Sequence, residues 1–288
     1  MVLILALLSL CYPSHSFVQP LNSSDSFTRF LDSEDASVVG FLDHPAHAMA
    51  FEQAAANAPH FRWAVTNSSE LFAAQKLRNA VAVFKPPRLL SHGERPRSRY
   101  PGNVLAHPEA LVDFVARVSQ PLVGVLTEAS AHAYEALGLP VLVVFCELDW
   151  EQNTMLKYYI ERLRSLALKF EARMRFALAS KRVHRAALGN YGIRWGDWEL
   201  QIGVYHTHFR SVGEEMVPVP EFFRMADVKG LDVASVERFC ESYLVGGVEK
   251  AVPVVDNEHY DTLSSLANTL GVENMNELKT NHHYKKEL

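Results

Sequence analysis

Three cysteines are the only residues in this 288-residue chain that could do thiol chemistry, and their spacing decides what they can do. Cys11 sits in an apolar leader, and Cys146 and Cys240 lie far apart. A dithiol redox centre needs two thiols one helical turn apart. One has a lowered pKa and attacks; the other resolves the mixed disulfide. The chain has no C-x-x-C, so it cannot build that centre. Cys146 ends the apolar run 142–145, a strand-like setting that buries a thiol and leaves it inert. A Cys146–Cys240 disulfide stays open as the lesser alternative. His206 and His208 would share one face of a strand, but no carboxylate or Cys at a known spacing completes a zinc set. Nor is there a G-x-S-x-G, a P-loop or a G-x-G-x-x-G. No metal and no cofactor are expected.

The other chemistry on offer is recognition. Residues 157–185 are strongly basic, with Arg162 and Arg164 central and only Glu161 and Glu171 opposing them. A solvated helix face explains this, and so does a patch that attracts acidic protein segments. Two tripeptides, Asp197-Trp198-Glu199 and Asp149-Trp150-Glu151, set a Trp between carboxylates, a pattern that suits an Arg-lined pocket on a partner. The alternative is an ordinary half-buried Trp. Net charge is −5 with 21% charged and 48% hydrophobic residues, an ordinary globular balance without the basic signature of a nucleic-acid binder.

Both ends read as addresses. Residues 2–10 are apolar and too short to span a membrane, and Ser14-His15-Ser16 offers small residues for cleavage. Residues 1–16 are therefore expected to be a secretory signal peptide. Lys285-Lys286-Glu287-Leu288 matches a KDEL-type retention tetrapeptide except at Lys286. Together they predict residence in the endoplasmic reticulum lumen, with no membrane segment after signal removal. Asn22 and Asn67 begin N-x-S sequons and are glycosylation candidates in that compartment.

Between these ends one order of elements runs twice. First come a helix at 25–31, a strand at 36–42, a helix at 46–58 ended by Pro59, a strand at 61–65, a helix at 68–77, a strand at 81–84 and a helix at 108–118. The second pass has strands at 122–126 and 140–146, with a helix at 128–137 between them. A long helix at 152–170 follows, with Leu156, Ile160, Leu163, Ala167 and Phe170 on one face. Then come a strand at 176–179, a helix at 181–191, strands at 202–205 and 214–217, and a helix at 233–244. Such alternation implies sheets covered by helices on both faces.

Particular runs carry a resemblance. Val38-Val39-Gly40-Phe41, Phe61-Arg62-Trp63-Ala64, Val83-Phe84-Lys85-Pro86, Leu126-Thr127-Glu128, Leu148-Asp149-Trp150-Glu151, Lys169-Phe170 and Phe176-Ala177-Leu178-Ala179-Ser180 stand in the order and spacing of the b and b′ domains of protein disulfide isomerases. The stretch 20–250 resembles the middle domains of the calnexin-associated member and the small two-domain member retained in the reticulum. The resemblance implies an α/β fold: two tandem thioredoxin-like domains, each a mixed central sheet flanked by helices, without a redox motif. It sets a b-type domain at 17–120, a b′-type domain at 121–250 and an extension at 251–288. Where catalytic domains carry their thiols, the chain has Ala46-His47-Ala48-Met49 and Trp150-Glu151-Gln152-Asn153, and Leu200-Gln201-Ile202 stands in place of their cis-proline.

The resemblance also implies partners. A b′ domain binds unfolded or partly folded secretory proteins in an apolar cleft, here offered by Tyr134, Leu137, Val183, Ala187 and Tyr191. These same residues could equally pack helices on the sheet. Arg162 matches an arginine with which the calnexin-associated member grips an acidic lectin chaperone, while a matching lysine is replaced by Thr154. A catalytic disulfide isomerase is the other implied partner. The expected function is a non-catalytic luminal binding module or co-chaperone. Its rivals are an oxidoreductase working through a lone Cys and a structural adaptor docking through its basic face or acidic tail.

Overall fold

The structure, a computed structural model, describes residues 18–103, 108–148, 150, 153–194, 200–212, 215–226, 228 and 230–254. The first sheet is built from β1 (Val18–Pro20), β2 (Ser37–Phe41), β3 (Arg62–Thr66), β4 (Ala80–Phe84) and β5 (Arg97–Arg99), in the order β1-β3-β2-β4-β5. β2 runs parallel to β3 and antiparallel to β4, so the sheet is mixed. Every residue of β2 is buried, as a central strand covered on both faces requires.

The alternation of side chains shows which elements cover which face. Val38 of β2 with Val81 and Val83 of β4 join a core cluster with Phe51 and Ala54 of α2 (Pro45–Asn57) and Leu111 and Val115 of α4 (Pro108–Val118). Val39 and Phe41 join the opposite cluster, with Phe27 and Phe30 of α1 (Ser24–Leu31) and Leu71 of α3 (Ser69–Gln75). Each helix starts where its sequence says. Ser23 and Ser68 accept backbone N–H bonds at the N-caps of α1 and α3, and Pro45 opens α2. Gly40 lets α2 close on the sheet, because a Cβ there would sit 3.0 Å from Leu42 and 3.3 Å from Phe51.

The second sheet has the order β10-β9-β7-β8-β6, from β6 (Val123–Val125), β7 (Val141–Cys146), β8 (Arg175–Ser180), β9 (Gln201–Val212) and β10 (Glu215–Arg224). Its helices are α5 (Glu128–Leu137), α6 (Asn153–Phe170), α7 (Arg185–Leu188) and α8 (Val233–Leu244). Thr127 caps α5 in a reciprocal capping box with Ser130, and Gly138 ends it in the left-handed conformation. By compactness the chain divides otherwise than by sheet. One unit takes in the chain up to Val141 and Leu148–Leu178; the other takes in Leu142–Glu147 and the chain from Ala179.

Two stretches differ from the sequence expectation. Residues 181–191 form a turn, the short α7 and a 3-10 turn at Gly189–Tyr191, not one helix. The stretch lacks an apolar stripe, with Val183 77% exposed and Leu188 and Tyr191 alone among its apolar residues buried. The strands expected at 202–205 and 214–217 belong to a much longer hairpin. Its ladder runs from Gly203 opposite Arg224 to Val212 opposite Glu215. Cross-strand hydrogen bonding carried it through His206-Thr207-His208, where hydrophobic patterning fades.

β10 is an edge strand closed to further pairing. Ala251 N–H donates to the Phe222 carbonyl at 2.7 Å, so the polar groups of Phe222 face away from β9. Residues two and four positions earlier face the same way, and they are Pro220 and Pro218. That outer edge therefore lacks two donors, which blunts strand addition.

Candidate functional site

The thiols come first, because they decide between catalysis and binding. Cys146 closes β7 and is 3% exposed, while Cys240 lies on α8 and is fully buried; neither is in a disulfide. Burial, with the nearby Glu147, pushes the Cys146 thiol up to about 12, against a smaller opposing pull from Lys181. A thiol so protonated offers almost no thiolate at neutral pH. The first turn of α2, where a catalytic domain would carry its attacking thiol, holds Ala46, His47 and Ala48.

The proposed cleft residues fall into two classes. Tyr134 and Tyr191 are core residues, 1% and 3% exposed, and burial pushes both phenols above their ordinary range. The Tyr134 hydroxyl donates to the Phe176 carbonyl at 3.5 Å. The Tyr191 ring packs edge-on against Phe145 and Phe222, at 4.9 and 4.8 Å between centroids. Leu137 and Ala187 are half-buried. Val183 alone of the five is fully offered to solvent.

The basic candidates also part company. The Arg162 guanidinium lies over the Tyr158 ring at 5.5 Å, and both residues are exposed. Arg164 is committed within its own unit, donating from two nitrogens to the His92 carbonyl at 3.2 and 2.9 Å. Trp150 is held in the same unit. Its carbonyl accepts from Arg88 at 2.8 Å and its ring lies 5.1 Å from the Arg88 guanidinium, which also grips Asp32 bidentately. Asp197, Trp198 and Glu199 lie outside the described residues, as do Lys285, Lys286, Glu287 and Leu288. Asn22 and Asn67 are exposed at the entries to α1 and α3.

Two exposed apolar residues that sequence reasoning passed over are on the β9–β10 hairpin. Phe209 is 55% exposed and Met216 60%. Phe209 stands directly opposite Pro218, and Met216 opposite Ser211. The period-2 alternation places Thr207, Phe209, Met216, Pro218 and Pro220 on the ladder face that Tyr205 and Phe222 carry into the core. The signal was present in the alternation Tyr205, Thr207, Phe209, had the strand been read past Tyr205. On the other ladder face, His206 and His208 stack at 4.0 Å, and Glu221 accepts from Lys250 at 2.5 Å. Among the described residues no group of three or more His, Cys, Asp or Glu could hold a metal ion, and no helix is long and apolar enough to cross a membrane.

Comparison with known proteins agrees with this geometry. The thioredoxin-like domain family matches residues 41–197. Protein disulfide-isomerase A3 of Gallus gallus is 26% identical over 250 residues, which are 82% of this chain and 46% of that protein. The chain thus spans about half the length of that relative. Among solved structures, the bb fragment of ERp72 superposes with a TM-score of 0.65 at 17% identity, covering 81% of this chain and 99% of the fragment. Human ERp44, form II, gives a TM-score of 0.52 at 14% identity, covering 83% of this chain and 62% of that one. The chain belongs to the thioredoxin-like domain family, and its two mixed sheets are similar to the tandem b-type domains of protein disulfide isomerases.

Proposed function

We propose that this protein is a non-catalytic binding module of the endoplasmic reticulum lumen, working as a b-type domain at 17–120 and a b′-type domain at 121–250. It holds unfolded or partly folded secretory chains and hands them to a catalytic disulfide isomerase. One contrast carries the reading: the described thiols are buried, while Val183, Phe209 and Met216 are offered to water. A contiguous exposed apolar patch marks a site of association, and Phe209, Pro218 and Met216 are neighbours on one face of the β9–β10 ladder. The luminal address rests on the family and on the two terminal segments as read from the sequence.

The experiment is a refolding assay with a reduced, denatured secretory protein at equal concentration. The reading requires less aggregation in the presence of the protein, with no acceleration of disulfide formation over an inert control. Disulfide turnover that vanished on Cys146→Ser would replace it with the lone-cysteine oxidoreductase.

A further inference from the structure

A cavity of about 520 Å³ opens beside the first turn of α2. Its apolar walls are Leu42, Val81 and Tyr100, which are 5%, 1% and 9% exposed. Its polar side chains include His47, Asn79, Arg99 and Asn103, and no carboxylate is among the residues that line it.

Among the described residues, Arg99 and the His47 Nδ1 atom have no side-chain hydrogen-bond partner. Arg97, two residues earlier on β5, is anchored by the Gln75 carbonyl and side-chain oxygen, both at 3.0 Å. Among the described residues Arg99 makes no such contact, and its exposed side chain lines the cavity. Asn79 is held in the left-handed region at φ 46, and its side-chain oxygen accepts the Asp43 N–H at 3.2 Å. That bond fixes which end of the amide is oxygen, and the NH₂ end hydrogen-bonds the Asp43 carboxylate. The His47 Nδ1 atom is buried and has no hydrogen-bond partner. Buried polar atoms of this kind call for an occupant.

We propose that this cavity binds a carboxylate joined to an apolar group. Arg99 supplies a planar fork for the carboxylate oxygens. His47 adds a neutral hydrogen bond, and Leu42, Val81 and Tyr100 receive the apolar part. The free carboxyl terminus of a peptide ending in an apolar residue has this chemistry, and so does a small organic acid.

The full chain is titrated with N-acetyl-leucine, with N-acetyl-leucinamide and with inorganic phosphate, by calorimetry and by the NMR signals of the histidines. The acid binds and shifts the His47 signals, and the amide binds at least about tenfold more weakly, the loss expected for a charged hydrogen bond. Arg99→Gln weakens the acid by a similar factor, whereas Arg97→Gln does not, with unchanged melting temperature certifying the fold of the Arg99 variant. A peptide with a free carboxyl-terminal leucine assigns the source: tighter binding than N-acetyl-leucine points to a chain terminus, equal binding to a small acid. The proposal is overturned if acid and amide bind alike, if Arg99→Gln binds as the parent does, if the acid does not bind, or if phosphate binds as tightly as N-acetyl-leucine.

Discussion

Glu94 accepts the backbone N–H of Leu122 at 2.9 Å, tying the loop after β4 to the residue that precedes β6. The same carboxylate receives Lys85 Nζ at 2.8 Å and both the N–H and hydroxyl of Ser91, at 3.3 and 3.0 Å. Its side chain is 5% exposed and that of Lys85 is 17% exposed. Glu94→Leu strands a half-buried cation and a half-buried N–H, so it should cost about 1–3 kcal/mol in urea unfolding. Lys85→Met together with Glu94→Leu should recover much of that loss. A cost under about 1 kcal/mol for the single variant would show the tie to be loose.

His60 makes the fold sensitive to acid. Its ring stacks on His132 at 4.6 Å and on Phe61 at 4.4 Å. Burial first, and then His132, lower its pKa below the ordinary 6.5, with Glu128 pulling the other way. Glu135 faces His132, and Asp35 lies in the same cleft. The unfolded chain binds more protons than the folded one between the folded pKa and 6.5. Stability from this site is therefore complete above about 6.5 and is lost as pH falls through the folded pKa. His60→Phe keeps the ring packing and removes the titration. Its melting temperature should fall less than the parent's on moving from pH about 7.5 to about 5.5. An equal fall in both would place the acid sensitivity elsewhere.

Cys146 and Cys240 should both resist a thiol reagent in the native protein and react on unfolding in urea. Burial shields both, and the raised pKa of Cys146 adds to its resistance. Rapid native labelling of Cys146 would contradict its placement at the buried end of β7.

Gly203 is a packing prediction. A Cβ there would lie 2.5 Å from the Tyr191 ring and 2.8 Å from the Phe223 carbonyl oxygen. Gly203→Ala should destabilise by about 1–3 kcal/mol as the ring or the β10 backbone is displaced. Amide exchange along β9 and β10 should rise with it, and an unchanged exchange pattern would mean Tyr191 has room to spare.

The fold was legible where burial imposes period and caps mark ends. α4, α5 and α8 lie at the residues that patterning assigns them, because Pro108, Thr127 and Asp232 stand at or just before their first turns. β1 and β5 escaped notice because three residues carry no period, and both are held by pairing to a neighbouring strand. The site was less legible than the fold. Tyr134 and Tyr191 carry the composition of a cleft but are spent on the core, while Arg164 is spent on a carbonyl. No local pattern distinguishes such a residue from Val183 or Arg162, which point to water, because contacts distant in sequence decide which is which.

The central claim is that apolar surface, not charge, holds unfolded chains. Its most direct measurement is the affinity of an unfolded model peptide for the full chain at low and high salt. The parent is compared with Arg162→Glu and with a Val183→Asp, Phe209→Asp double variant; all three positions are exposed. Binding through area removed from water should be weak, about micromolar or poorer once ordering costs are met, and little changed by salt. The double variant should bind about tenfold more weakly or worse, and Arg162→Glu should bind as the parent does. Loss confined to Arg162→Glu, with affinity falling steeply as salt rises, would contradict the account and make the chain a docking face for an acidic partner.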